Sequence, residues 1–290
     1  MSEQHSQLTA LVTGASSGIG YWTAKELASR NIKVFACARR LEPMKPLEEL
    51  GITIIKCDVT DAQEVQHMKS TISDATGGKL NILFNNAGSS CTFPAVDVTD
   101  EAALKCFQVN VLAPIRLSRE FSPLVIKAKG LIAFTGSLAG IVPFPFASVY
   151  SASKAAIHQY CQVLHLEMKM FDVKVLNLIT GGVKTNIADT RPLPENSIFN
   201  TEEGRASLIA RQKMSANAKP QAPEVYAKNV VNDMLKFSPR IIDVHRGSNA
   251  SILPWVIRWI PRWIVEMALL KKFKLYPVWS SFREKREKKD

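Results

Sequence analysis

Short β-branched runs alternate with longer stretches of helical periodicity along the first 250 residues, and this alternation constrains the fold more than any other feature. Candidate strands are Leu8–Val12, Lys33–Ala36, Thr53–Cys57, Leu80–Asn85, Gly130–Thr135, Val173–Ile179 and Ile241–Val244. Between them, apolar residues recur at about 3.6-residue spacing over Ile19–Arg30, Ala62–Ser73, Leu112–Lys127, Val149–Met170 and Pro223–Phe237. Continuous apolar strands joined by helices predict an α/β fold, a doubly wound parallel sheet covered on both faces. One domain is expected over residues 1–250, with a C-terminal extension over 251–290. The rhythm breaks at Asn186–Gln221, rich in Pro, Asn, Ser and Arg and long enough to serve as a lid.

Composition closes other routes. With 46% hydrophobic and 22% charged residues, the chain is neither disordered nor fibrous. Its five cysteines are scattered without a Cys-x-x-Cys pair, which argues against a disulfide framework or a zinc site and for a reducing compartment. Only seven residues precede the first apolar run, so no signal peptide is expected. The net charge of +11 is uneven: residues 251–290 carry ten Lys/Arg against four Asp/Glu, and four of the five tryptophans. No nucleic-acid-reading module accompanies that charge, and nucleic acid is not expected as a partner.

Directly after the first strand comes Thr13-Gly14-Ala15-Ser16-Ser17-Gly18-Ile19-Gly20, leading into a helix. Glycines there let backbone N–H groups approach a pyrophosphate at the helix N-terminus. The same residues spell Gly14-x-Ser16-x-Gly18, a hydrolase nucleophile elbow, which leaves open a lipid-ester hydrolase using Ser16. His67, His158, His165 and His245 would be its candidate bases. After the second strand stand Arg39 and Arg40, suited to a ribose 2′-phosphate and hence to NADPH, or else a solvated loop pair. Asp58 ends the third strand, placed to approach an adenine edge or to cap the next helix.

Tyr150 and Lys154 share a helix face at i and i+4. A neighbouring ammonium is expected to lower the phenol pKa into a range useful for acid–base work. Tyr21 and Lys25 match the same spacing but are expected to be helix surface. Ser137 ends the fifth strand, and Asn85-Asn86-Ala87-Gly88 ends the fourth, at the edge where such sheets bind ligands; Asn110 follows in the next helix. Taken singly, each of these reads better as a turn or cap residue.

The set Thr13–Gly20, Asn85–Gly88, Asn110, Ser137, Tyr150 and Lys154 resembles the short-chain dehydrogenase/reductase family across most of residues 8–250. That resemblance implies roles. Tyr150 would protonate the developing alkoxide, Lys154 would tune it and hold the nicotinamide ribose, Ser137 would orient the carbonyl, and Asn110 would hold a relay water. Gly14, Ser16, Gly18, Ile19, Gly20, Arg39, Arg40, Asp58, Asn86, Ala87, Gly88, Val183 and Thr185 would contact the cofactor. Thr180 stands where the family carries proline, so the resemblance leaves the backbone there open. The runs Cys37–Met44, Ser90–Ala95, Phe134–Gly140, Tyr150–Tyr160 and Arg191–Glu195 are similar to the branch of fungal NADPH-dependent reductases of 1-acyl-dihydroxyacetone phosphate. This implies an acylated glycerone phosphate as substrate, 1-acylglycerol 3-phosphate as product, and a place on the cytosolic face of the endoplasmic reticulum and lipid droplets.

Lys184, Arg191, Arg205, Arg211 and Lys213 are available near the lid for a phosphate head, and Ile141–Phe146 for an acyl groove. A retinoid or steroid would fit such a groove too, which keeps a retinoid/steroid carbonyl reductase as the alternative. In the tail, Arg258, Arg262 and Glu266 form a narrow strip beside a broad apolar arc of Val256, Trp259, Ile260, Trp263, Ile264 and Met267. With Lys271, Lys272 and Lys274, residues 252–274 suit an interfacial contact with a membrane or lipid droplet. Pro261 should split the segment into two short helices. The other reading is a helix covering the substrate pocket or a homo-oligomer interface. Arg283–Lys289 is expected to be a solvated end.

Overall fold

A computed structural model describes residues 7–236 and 242–287. Seven strands, β1 (Thr9–Thr13), β2 (Lys33–Ala38), β3 (Thr53–Lys56), β4 (Ile82–Asn85), β5 (Leu131–Thr135), β6 (Lys174–Thr180) and β7 (Asp243–Arg246), form one parallel sheet in the order β3-β2-β1-β4-β5-β6-β7. The order reverses between β1 and β4, which opens a crevice at the strand C-termini.

Twelve helices are described: α1 (Gly18–Ser29), α2 (Lys45–Glu48), α3 (Ala62–Thr76), α4 (Asp100–Phe107), α5 (Ala113–Ala128), α6 (Ser148–Met168), α7 (Glu202–Gln212), α8 (Met214–Asn217), α9 (Pro223–Leu235), α10 (Ile252–Trp259), α11 (Arg262–Lys272) and α12 (Leu275–Glu287). Strand side chains alternate between the two faces. Ala10, Val12, Val34, Ala36 and Phe84 pack with Ala24 and Leu27 of α1 and Val230 and Val231 of α9. Leu11, Phe35, Leu83, Ile132 and Phe134 pack against α3, α5 and α6 on the opposite side, through Met68, Phe121 and Ile157.

Side-chain caps start three of the described helices. The Asp61 carboxylate accepts from the N–H groups of Gln63 and Glu64 at the start of α3, and Thr99 and Thr201 cap α4 and α7. Ser17, at the start of α1, makes no side-chain cap, and the first turn carries no acid. Its N–H groups and the positive end of its dipole are left to face an anion.

The structure shifts one expectation and details two others. The strand expected at Ile241–Val244 lies at Asp243–Arg246, because Asp243 pairs with Asn177 and Arg246 with Thr180; Ile241 and Phe237 lie outside the described residues. The stretch Asn186–Gln221 is not all loop. It contains α7 and α8, and α7 forms because Thr201 caps it while Ser207 and Leu208 are buried. In the basic end Arg283, Glu284 and Glu287 are exposed, as expected, and they continue α12, which upstream buries Val278 and sets Phe282 edge-on to Phe199 at 6.3 Å. Lys288 and Lys289 lie outside the described residues. Pro261 splits α10 from α11, as its missing N–H predicts.

Candidate active site

At the end of β1 the chain turns through Gly14, whose φ of +69° is the left-handed region that glycine adopts without penalty. A Cβ there would lie 2.8 Å from Ala87 Cα, and one on Gly20 would lie 2.5 Å from the Gly14 carbonyl oxygen. The Thr13 hydroxyl laces this turn to the end of β4. It donates to the Phe84 carbonyl (3.3 Å) and accepts from the N–H groups of Asn86 and Ala87 (3.0 Å each). The Asn86 amide donates to the Thr13 carbonyl at 2.9 Å, and its oxygen accepts from the Thr135 hydroxyl at 3.1 Å. Neither Thr13 nor Thr135 was legible as a lacing residue, because a strand-end threonine has no distinguishing pattern.

Arg39 and Arg40 follow β2, exposed and in no ion pair among the described residues. Asp58 sits beside them. Burial works against its ionised form, yet the Thr60 N–H and hydroxyl (2.9 and 2.7 Å) and the Arg39 charge hold its carboxyl below the usual range. An open helix N-terminus, glycines with no room for Cβ, and two unpaired guanidiniums fit a dinucleotide carrying a 2′-phosphate. Ser16, Gly18, Ile19, Gly88, Val183 and Thr185 line the same cavity, and a Cβ on Gly18 would lie 3.1 Å from Thr185 Cγ2. Thr180, in the place of the family proline, ends β6 with its hydroxyl 2.6 Å from the buried Tyr226 hydroxyl. A proline there would leave that phenol without this partner.

Tyr150 and Lys154 lie on α6, and Ser137 lies just beyond β5; all three line the cavity. Lys154 is 4% exposed and donates from Nζ to the Thr135 carbonyl at 2.8 Å. Burial lowers its pKa to about 8. Its ammonium lies 5.8 Å from the centre of the Tyr150 ring rather than at the hydroxyl. The expected fall in the Tyr150 pKa is therefore reversed. Burial pushes the phenol up, and the Ser137 hydroxyl and the Arg211 charge only partly offset it. Tyr150 stands as a protonated donor at neutral pH.

Asn110 sits not in a regular helix but in a π-helical turn, Gln108–Leu112, between α4 and α5. Its amide donates to the Ser89 carbonyl (2.9 Å) and the Ser153 hydroxyl (3.0 Å), and Oδ1 accepts from the Ser89 N–H (2.8 Å). Ser153 in turn donates to the Tyr150 carbonyl at 2.7 Å. The amide hydrogens are thus spent on framework. His158, one of the four hydrolase candidates, instead accepts from the Ser137 N–H at Nε2 (3.1 Å). Burial holds it neutral, with a pKa of about 4. No hydrogen bond joins Ser16 to a histidine among the described residues. Tyr21 and Lys25 lie apart from the cavity: Tyr21 is edge-on to Trp22, and Lys25 sits 5.0 Å over that same ring.

The cavity measures about 870 Å³ and runs from Arg39 past Tyr150 to Arg211 and Lys272. Within Ile141–Phe146, Phe144 lines it. Phe146, at φ +57°, turns instead toward Phe199, Leu193 and Leu208 of the lid. The tail supplies a wall. Phe273 is 1% exposed, edge-on to Phe144 at 6.3 Å, while Leu253, Ile257 and Leu269 pack against the same cluster as Tyr150. Its other face stays open, with Trp255, Trp259 and Trp263 more than 60% exposed. Among the described residues no helix is long and apolar enough to cross a membrane.

Comparison with known proteins agrees with this geometry. An NADPH-dependent 1-acyldihydroxyacetone phosphate reductase of Saccharomyces cerevisiae is 51% identical over 297 residues, spanning 100% of both chains. The protein of the same description from Schizosaccharomyces pombe is 39% identical over 198 residues, 65% of this chain and 67% of its own. In fold, a short-chain dehydrogenase from Streptomyces avermitilis matches with a TM-score of 0.77, covering 94% of this chain and 98% of that one at 24% identity. The family model for short chain dehydrogenases matches residues 8–196, and the chain belongs to that family.

Proposed function

We propose that the protein reduces the ketone of 1-acyl-dihydroxyacetone phosphate to 1-acylglycerol 3-phosphate with NADPH. One observation carries the reaction class: a protonated Tyr150, Ser137 and the buried Lys154 meet in the cavity that the glycine turn and Arg39 also line. The full-length likeness to the S. cerevisiae reductase supports the substrate. Bound NADPH supplies the hydride.

The protein's own groups do the rest. Ser137 holds the substrate carbonyl oxygen, and Tyr150 gives its hydroxyl proton to that oxygen as negative charge develops there. His158 accepts the Ser137 N–H and fixes the serine backbone. The Lys154 charge, in surroundings of low dielectric, favours the phenolate left behind. Asn110 and Ser153 hold the backbone of Tyr150, and Asn110 Oδ1 holds a water that returns the proton. Arg39 and Arg40 clamp the 2′-phosphate. Phe144, Leu138 and Leu253 give the acyl chain an apolar wall. Turnover of purified protein on acyl-dihydroxyacetone phosphate beside a panel of retinoids and steroids tests this reading. Preference for a retinoid or steroid ketone would replace it.

The open face of the tail supports association with an anionic lipid surface, at the endoplasmic reticulum and lipid droplets. Tryptophans beside Arg258, Arg262 and Lys271 suit the headgroup boundary. Replacing Trp255, Trp259 and Trp263 together by serine should abolish co-sedimentation with anionic phospholipid vesicles while Tm is unchanged. Retained binding would assign that face to another role.

A further inference from the structure

Arg211 is buried without a counter-charge in the cavity where the substrate must sit. It lies on α7, is 8% exposed, and donates from Nε to the Pro145 carbonyl at 3.1 Å. Its guanidinium carbon lies 5.6 Å from the centre of the Phe144 ring. Among the described residues, neither Nη atom has a hydrogen-bond acceptor and no carboxylate forms an ion pair with it. Even more exposed guanidiniums of this chain are paired: Arg246 grips Asp233 through two nitrogens (2.7 and 2.6 Å), and Arg191 grips Asp189 (2.9 and 2.8 Å). A buried cation left unpaired is costly, and burial opposes the charge of Arg211 directly. An anionic ligand in the cavity would offset that cost.

The other candidate cations of the lid are placed elsewhere. Arg191 is spent on Asp189, Arg205 donates to Asn200 at 2.7 Å, and Lys184, Arg191, Arg205 and Lys213 are absent from the cavity wall. Asp189 does line the cavity, but Arg191 already neutralises it. Lys272, from the tail, lines the cavity beyond the Phe144–Phe273 pair, its Nζ 5.9 Å over the Phe273 ring. Arg211 is close enough to Tyr150 for each charge to act on the other.

We propose that Arg211 is the seat for the phosphate monoester of the ketone substrate, with Lys272 as a second cation delivered by the tail. The assignment rests on the reading of the substrate given above. In a glycerone phosphate two bonds separate the ketone carbon from the ester oxygen, so a carbonyl at Tyr150 brings the phosphate to the neighbouring guanidinium. The planar fork of Arg211 offers two free donors to phosphate oxygens, a match that lysine lacks.

The test compares kcat/KM for acyl-dihydroxyacetone phosphate with kcat/KM for the same acyl ketone without phosphate, using full-length protein. Arg211→Gln should lower the ratio of the two at least 100-fold, mainly through KM. Arg211→Lys should lower it about tenfold, and Lys272→Gln about fivefold. At saturating NADPH, which occupies Arg39 and Arg40, inorganic phosphate should compete with the phosphate-free ketone in the wild type and lose that competition in Arg211→Gln. NADPH binding, read by fluorescence, confirms that each variant is folded. An unchanged ratio, or phosphate competition that survives in Arg211→Gln, would overturn the assignment. Should the wild type ignore the phosphorylated ketone yet reduce the free one, the substrate reading falls, and phosphate competition still decides whether Arg211 holds an anion.

Discussion

The two ends of the cavity are built differently. At the cofactor end, Gly14, Asn86 and Arg39 sit on turns directly after β1, β4 and β2, with Gly20 in the first turn of α1, and backbone groups of rigid strands do the positioning. At the substrate end, the wall is assembled from side chains on α7, α11 and the Ile141–Phe146 loop, meeting through Phe144, Phe273 and Arg211. The first end is held by hydrogen bonds local to strand termini. The second is held by aromatic burial between distant segments. One end therefore suits an invariant ligand, while the other can be changed by altering side chains without moving the sheet.

The largest effect expected lies where the two ends meet. Tyr150→Phe should lower kcat about 1000-fold while NADPH still binds, since only the proton donor is removed. Ketone reduction at the wild-type rate would show that the two ends do not converge there. At the cofactor end, Arg39→Ala with Arg40→Ala should weaken NADPH about 100-fold, the loss of two charge-assisted contacts, and NADH less than about threefold. Equal losses would remove the phosphate clamp from that end.

At the substrate end, Phe273→Ala should destabilise the fold by about 3 kcal/mol, the range for truncating a buried phenylalanine, and should raise KM for the acyl substrate. A Tm within about 1 °C of wild type would mean that the tail is not packed on the cavity. The smallest effect is in the pH profile. Burial brings Lys154 to about 8, so it loses its proton as pH rises through that value, and kcat/KM for reduction should fall there. Tyr150, raised above the usual phenol value, stays protonated through the same window. A falling limb first seen above about 10 would assign the titration to Tyr150 instead.

How much of this was legible follows the same division. The α/β order, the glycine turn, Arg39, Arg40 and the Tyr150–Lys154 spacing are written in contiguous residues, and the structure places each at the cavity. The direction of the Tyr150 shift was not legible. Spacing puts Lys154 on the same helix face, but its Nζ goes to the Thr135 carbonyl and burial dominates. His158 carried no signal, because its partner, the Ser137 N–H, lies 21 residues away in another element. The tail was read as a lipid contact or a pocket cover. Its inner face covers the pocket, and its tryptophan face is open for the other role.

By itself the sequence determined the sheet, the glycine turn and the placing of Tyr150 and Lys154 on one helix face, because periodicity, backbone turns and i, i+4 geometry depend on near neighbours alone. Only the tertiary structure decided which of five lid cations enters the cavity, which face of the tail is buried, and whether the phenol gains or loses its proton. Each of those depends on desolvation and on partners far along the chain, and burial is a property that no short stretch of residues possesses.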